Sequence, residues 1–183
     1  MNLFIDTHLN DVVVILSEND IILNKEIIRN EKQNSKIIMP LIKKILADKI
    51  PESITIVNGP GSFTGVRLGV TIAKTLAYTW QIPIRSITTL ECLAISTNEL
   101  EKIVAFTDNN GYYIGIFDQN CNLIGNYEYL NKLELEKFSK KYNVLTDLEI
   151  NYEKVIKVAN KKQILNPHEV NPIYIKKIDV EKW

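Results

Sequence analysis

Apolar residues gather in runs of strand length at Leu3 to Asp6, Val12 to Leu16 and Ile21 to Ile28, and the Asn and Asp rich turns between them suit antiparallel connections. From Ser35 to Ala47 the period changes to that of a helix. Ile37, Ile38, Leu41, Ile42, Ile45 and Leu46 make a wide apolar stripe there, and Pro40, in the first turn or two, should limit or bend its start. A β-branched run from Ser53 to Val57 predicts a fourth strand, after which apolar and small residues recur at helical spacing from Phe63 to Trp80. A short buried stretch around Ile82 to Ile84 and a helix from about Thr88 to Thr97 follow. The order is three strands, helix, strand, helix.

The pattern begins again near Lys102. Ile103 to Thr107, Tyr112 to Phe117 and Leu123 to Tyr129 read as strands, Lys132 to Lys141 as a helix, and Val144 and Leu145 as a further strand. Asp6 and Asp108 hold matching places at the ends of the two opening strands. Two such units side by side are the layout of the α/β fold shared by actin, sugar kinases and Hsp70 (ASKHA), two related lobes with mixed sheets. The expected lobes are residues 1–100 and 101–183. In that layout a nucleotide lies between the lobes and acidic residues at first-strand ends orient metal and phosphate, which singles out Asp6. The segment Asp6-Thr7-His8-Leu9-Asn10 lacks the paired glycines that would let a hairpin wrap a phosphate, so a turn-forming or capping role for Asp6 stands beside the nucleotide role.

Between the fourth strand and the long helix lies Asn58-Gly59-Pro60-Gly61-Ser62-Phe63-Thr64-Gly65-Val66-Arg67-Leu68-Gly69. A glycine turn at the start of a helix displays backbone N–H groups to an anion. Neither standard phosphate loop fits. Gly65 has Pro60 five residues before it and Val66-Arg67 after it, so the Lys of a Walker A loop is missing; the third glycine of a dinucleotide fingerprint falls on Thr64. Gly59, Gly61, Ser62, Thr64, Asp6 and Asp108 remain the candidate nucleotide-facing residues of a small kinase or ATPase. Ser62 has a simpler role as helix N-cap, and His8 and His168 offer it no triad.

Gly65, Gly69, Ala73 and Ala77 recur every four residues along the helix. Glycine inside a helix costs about 1 kcal/mol relative to alanine, so close packing must offset it. The stripe could meet the chain's own sheet, or it could meet a helix of another subunit, since Val66, Leu68, Val70, Ile72 and Leu76 already supply an internal core.

Composition narrows the classes. The 183 residues are 45% hydrophobic, and 22 basic residues balance 22 acidic ones, against the basic excess of a stand-alone nucleic-acid binder. Lys154, Lys157, Lys161, Lys162, Lys176, Lys177 and Lys182 gather toward the end and read as a solvated face, with a nucleic-acid or acidic-partner role as the alternative. Cys92 and Cys121 have no paired spacing, the histidines form no metal pattern, and no signal peptide or long apolar span is seen; a reducing cytoplasm is expected.

Phe4-Ile5-Asp6-Thr7, Ser35 to Ile45 with Pro40, the run Gly59 to Gly69, and Ser86 to Ala94 resemble the TsaB (YeaZ) family. The glycine segment is the specific part, the first hundred residues match well, and Val104 to Ile116 and Pro172 to Lys176 match loosely. The resemblance implies a subunit without catalytic activity of its own in the bacterial complex that makes threonylcarbamoyladenosine in tRNAs reading codons beginning with A. It implies binding to TsaD through the first-lobe helices, here Ile38, Leu41, Ile42 and Ile45 with Gly65, Leu68, Gly69, Ile72, Ala73, Leu76 and Ala77. TsaE with its ATP joins that pair, tRNA is met indirectly, ATP at the complex interface is the only cofactor in view, and a homodimer of the free chain is left open. Departures limit the transfer. Asn34 stands where the family often has His, the metal-binding histidine pair of the catalytic relative has no equivalent, and Asp108-Asn109-Asn110 replaces a common Asp and Arg pattern. The second lobe is also short for the family, with little room for helices after Leu145.

Overall fold

Two β-sheets organise the chain, with one helix between them. In the computed structural model, which describes residues 1–9, 11–29, 34–100 and 102–175, the elements run β1 (Asn2–Asp6), β2 (Val12–Glu18), β3 (Ile21–Ile28), α1 (Asn34–Leu46), β4 (Ser53–Val57), α2 (Phe63–Trp80), β5 (Ile84–Ile87), α3 (Thr89–Ser96), β6 (Lys102–Asp108), β7 (Gly111–Phe117), β8 (Glu128–Leu130), α4 (Lys132–Ser139), β9 (Val144–Leu145) and α5 (Tyr152–Ala159). Lys176, Lys177 and Lys182 of the basic cluster lie outside the described residues.

The first sheet has the order β3-β2-β1-β4-β5. β1, β2 and β3 pair antiparallel, whereas β4 joins β1 and β5 joins β4 in parallel. Asn19 and Asp20 both have positive φ (48° and 64°), the two-residue turn whose twist matches the β2/β3 hairpin. Parallel pairing needs crossovers, and α1 and α2 supply them. Helices cover both faces, so every residue of β1 is buried. Leu3, Ile5, Val12, Val14, Ile54 and Ile56 pack with α1 and α2 on one face. Phe4, Val13, Ile15, Val57 and Ile87 pack with α3 and α5 on the other.

The second sheet has the order β8-β7-β6-β9. Its inner face, with Val104, Tyr113 and Phe117, rests on Leu90, Leu93 and Ala94 of α3; its outer face, with Ala105 and Ile114, rests on Leu135 of α4. α3 touches both sheets, which explains why Thr89, Leu90, Cys92, Leu93, Ala94 and Ile95 are all buried. A helix that is apolar all round is stable only when enclosed.

This is the mixed α/β layout expected from the repeated pattern, with local differences. Leu123 makes only an isolated bridge to Phe117, Gly125 turns the chain at φ 78°, and the strand forms later as β8. The sequence left little room for a helix after Leu145, yet α5 forms there. Asn151 caps it by accepting from the Lys154 N–H, and Val155, Ile156 and Ala159 bury its short apolar stripe. That stripe is covered by the first sheet rather than the second. From α5 to Ile173 the chain stays with the first sheet: Leu165 bridges Ile84, Val170 joins its core, and the Ile173 N–H donates to the Asn58 carbonyl at 2.8 Å. Among the described residues no helix is long and apolar enough to cross a membrane.

Candidate functional site

The glycine turn emerges from β4 and is held from three sides. The Thr89 N–H donates to the Gly59 carbonyl at 2.9 Å and the Thr89 hydroxyl to the Pro60 carbonyl at 2.6 Å, fixing the turn to the start of α3. The Ser62 N–H donates to the His8 carbonyl at 2.6 Å. A side chain at Gly61 would run into that same carbonyl, and one at Gly65 into the carbonyl of Thr7, so both glycines are required by close approach of the segment after β1. Gly59 sits at φ 100°. Ser62 is the N-cap of α2, its Oγ accepting from the Gly65 N–H at 3.3 Å.

Above the turn lies a cleft of about 1060 Å³ between the two sheets. Gly61, Ser62 and Thr64 line one wall, Asp108, Asn109 and Asn110 the opposite one, and Ile173 to Ile175 close a third side. Of the nucleotide-facing candidates, Gly61, Ser62, Thr64 and Asp108 therefore meet around one space. Asp108 accepts a hydrogen bond from the Tyr129 hydroxyl at 3.1 Å. Aromatic rings supply much of the lining. Phe106 and Tyr113 stack at 6.3 Å with planes 15° apart, and Phe63 and Tyr174 stand at the α2 side. The Arg67 guanidinium lies 3.6 Å over the Phe63 ring and its Nε donates to the Tyr174 hydroxyl at 2.6 Å. No lysine or arginine is among the described residues that line the cleft. The aromatics were not anticipated from the sequence, although Phe106 and Tyr113 face each other across the β6/β7 register and alternate with core positions.

Asp6 and Gly59 do not line the cleft. Asp6 is 1% exposed, and its carboxylate is fully engaged. Its Oδ1 takes a 3.0 Å hydrogen bond from the His8 N–H and lies 2.6 Å from His8 Nδ1; its Oδ2 accepts from the Tyr152 hydroxyl at 2.9 Å. Burial pushes the Asp6 carboxyl up, but attraction to His8 and the hydrogen bonds from His8 and Tyr152 outweigh it and hold it below the usual carboxylate range. The same burial, with Asp6 alongside, pushes the Tyr152 phenol far up. The His8 ring meets Phe106 edge-on at 5.6 Å, so this cluster also supports the cleft wall. Through these contacts Asp6 braces the segment after β1 against α5.

The residues expected at a partner surface fall into two groups. Ile38, Leu41, Ile42 and Ile45 are core residues of α1, and Gly65, Gly69, Ala73 and Ala77 turn into the same core. Gly69 approaches the Thr7 hydroxyl and Ile56 so closely that a methyl group would not fit. The stripe of small residues therefore serves packing of α2 on the chain's own sheet, because β1 and β4 come closer to the helix than any larger side chain would permit. Leu68, Ile72 and Leu76 lie on the shoulder of α2 and stay partly open to solvent. Phe63 and Tyr78, 50% and 65% exposed, lie on the other flank of the helix, against Tyr174 and His168.

Comparison with known proteins adds sequence and structural relatives. A protein-family model described as "TsaD: tRNA N6-adenosine threonylcarbamoyltransferase" matches residues 22–108. The tRNA threonylcarbamoyladenosine biosynthesis protein TsaB of Bacillus subtilis (strain 168) is 33% identical over 150 residues, which are 78% of this chain and 61% of that protein. The chain thus spans less than two thirds of that relative's length. The TsaB protein of Buchnera aphidicola subsp. Schizaphis graminum is 31% identical over 158 residues, 75% of each chain. Among solved structures, a Pseudomonas aeruginosa protein described as uncharacterized with similarity to peptidase YEAZ superposes with a TM-score of 0.79 at 17% identity, covering 96% of this chain and 99% of that one. YeaZ from Pseudomonas aeruginosa gives 0.75 at 16% identity, with 94% and 98% covered.

Proposed function

Since this chain belongs to the TsaB family of tRNA threonylcarbamoyladenosine biosynthesis proteins, we propose that it is a supporting subunit, without catalysis of its own, in formation of N6-threonylcarbamoyladenosine in tRNAs reading codons beginning with A. Its partner is TsaD, which it scaffolds or activates; TsaE joins through that pair, and tRNA is reached through the assembly. ATP belongs to the assembled interface, and the free chain carries no cofactor. The observation that carries the non-catalytic role is Asp6. The carboxylate that would face phosphate and metal in an active enzyme of this fold is 1% exposed and engaged by His8 and Tyr152. The partner face is the half-open shoulder of α2 formed by Leu68, Ile72 and Leu76. Partly exposed apolar side chains on a rigid helix supply the desolvated centre that an interface needs. The match of residues 22–108 to a TsaD family model supports a place in a TsaD-related assembly.

The cleft of about 1060 Å³ favours a second reading, a nucleotide-dependent enzyme such as a small kinase or ATPase. One assay separates the two. Purified TsaD, TsaE and the threonylcarbamoyl-adenylate donor are incubated with tRNA, with and without this chain. Product formed only when the chain is present, and reduced by Ile72→Asp in a folded variant, supports the subunit role. Equal product without the chain overturns it and turns attention to ATP hydrolysis by the chain alone.

A further inference from the structure

Lys102 is buried in the second β-α unit, 4% exposed, on the strand that opens it. Its Nζ reaches the last turn of α3, donating to the Ala94 carbonyl at 3.1 Å, and donates to Cys121 Sγ at 3.3 Å. No carboxylate among the described residues forms a close ion pair with it, and Asp118 of the neighbouring turn supplies the nearby negative charge. A buried ammonium needs hydrogen-bond acceptors, and a helix carbonyl and a sulfur are what this one receives. Cys121 is half-buried, open to solvent on one side, on a turn built to hold it. Asp118 Oδ1 accepts from the N–H groups of Asn120 and Asn122 at 2.8 Å each, and the Cys121 N–H donates to the Asp118 carbonyl. Cys92 is the contrast: it is fully buried, and burial pushes its thiol up, which keeps it inert.

We propose that Lys102 and Cys121 form an oxidation-sensitive modification site in which peroxide closes a covalent S–N link between the two side chains. The Cys121 sulfur attacks one oxygen of hydrogen peroxide; the O–O bond breaks, an S–O bond forms, and water leaves with the sulfur oxidised to sulfenic acid and the peroxide reduced. Lys102 Nζ releases a proton to solvent, and its lone pair attacks the sulfur. The S–O bond breaks and a second water departs, carrying a proton from nitrogen. Thiol, ammonium and one peroxide become one S–N bond, two waters and one proton. The half-buried sulfur admits a small oxidant while Lys102 is already placed to trap the product, and the link would fasten β6 to the 118–122 turn beneath the end of α3.

The test treats the full chain with hydrogen peroxide and reads intact mass and a tryptic map. The expected product is lighter than the reduced chain by about 2 Da, joins the Lys102 and Cys121 peptides, has lost tryptic cleavage after Lys102, and reverts with dithiothreitol. A Cys92–Cys121 disulfide would have the same mass, so the Cys92→Ala variant must still form the product. Cys121→Ser and Lys102→Met must not. The wild-type map decides by itself should a variant fail to fold. Cys121 gaining about 16, 32 or 48 Da while Lys102 stays cleavable, a link to Cys92, or an unmodified Cys121 overturns the proposal.

Discussion

Gly65 and Asp6 show how single residues in this chain are set by what lies against them. A Gly65→Ala change would gain helix propensity of about 1 kcal/mol. The added methyl would meet the Thr7 carbonyl, a backbone atom that cannot swing aside. Overpacking of this kind costs about 1–3 kcal/mol, so the net effect should be a lower urea midpoint with an unchanged m-value. A higher midpoint would mean that the helix does not approach β1 as described. Asp6 gives a pH-dependent effect. Its folded pKa lies below the ordinary carboxylate value of about 3.9, so its contribution is fully present above that value and is lost as pH falls through the folded pKa. Asp6→Asn should therefore destabilise by about 1.5–3 kcal/mol at pH 7, as loss of charged hydrogen bonds does. The gap to wild type should close below about pH 3.9. A gap independent of pH between 7 and 2.5 would count against an ionised Asp6.

At the scale of elements, α3 has the largest share in holding the molecule together, since both sheets rest on it. Its start is fixed by a capping box: the Thr88 hydroxyl accepts from the Glu91 N–H at 3.0 Å and Glu91 accepts from the Thr88 N–H at 2.7 Å. The other oxygen of Glu91 pairs with Lys162. The Thr88 hydroxyl also shares a 2.9 Å hydrogen bond with Tyr127, whose phenol burial pushes up to about 12. Thr88→Ala removes a cap and a cross-unit hydrogen bond, together about 2 kcal/mol. The midpoint of thermal unfolding should fall by about 4–8 °C, and Thr88→Ser should recover most of it. The contrast with α5 is instructive. α2 was legible because its apolar and small residues recur along eighteen positions, and α3, as short as α5, because Leu90, Cys92, Leu93, Ala94 and Ile95 crowd behind the Thr88 cap. α5 offers only Val155, Ile156 and Ala159 among charged neighbours, and its reason for forming is the first sheet, all of whose strands come much earlier in the sequence.

At the scale of the molecule, the cleft is where the two readings of function part. Triphosphates are held by cations as well as backbone N–H groups, and the described lining carries Asp108 and aromatic rings without lysine or arginine. Millimolar ATP with Mg²⁺ should leave the unfolding temperature of the free chain unchanged, because a ligand stabilises only in proportion to its binding. A rise of several degrees, abolished by a charge change at Asp108, would favour the enzyme reading.

The alternation of strands and helices, the repeated unit, the glycine turn with its Ser62 cap and the family resemblance are all legible in the residues alone, because they rest on local periodicity, turn chemistry and a contiguous motif. The residues alone also leave the stripe from Gly65 to Ala77 and the carboxylate of Asp6 with two meanings each. The contacts each one makes come from the folded chain. Which face of α2 a sheet covers, and whether a carboxylate at a strand end meets solvent or His8 and Tyr152, depend on residues brought together from opposite ends of the chain. Periodicity records that a face is to be buried; the partner that buries it is fixed by packing.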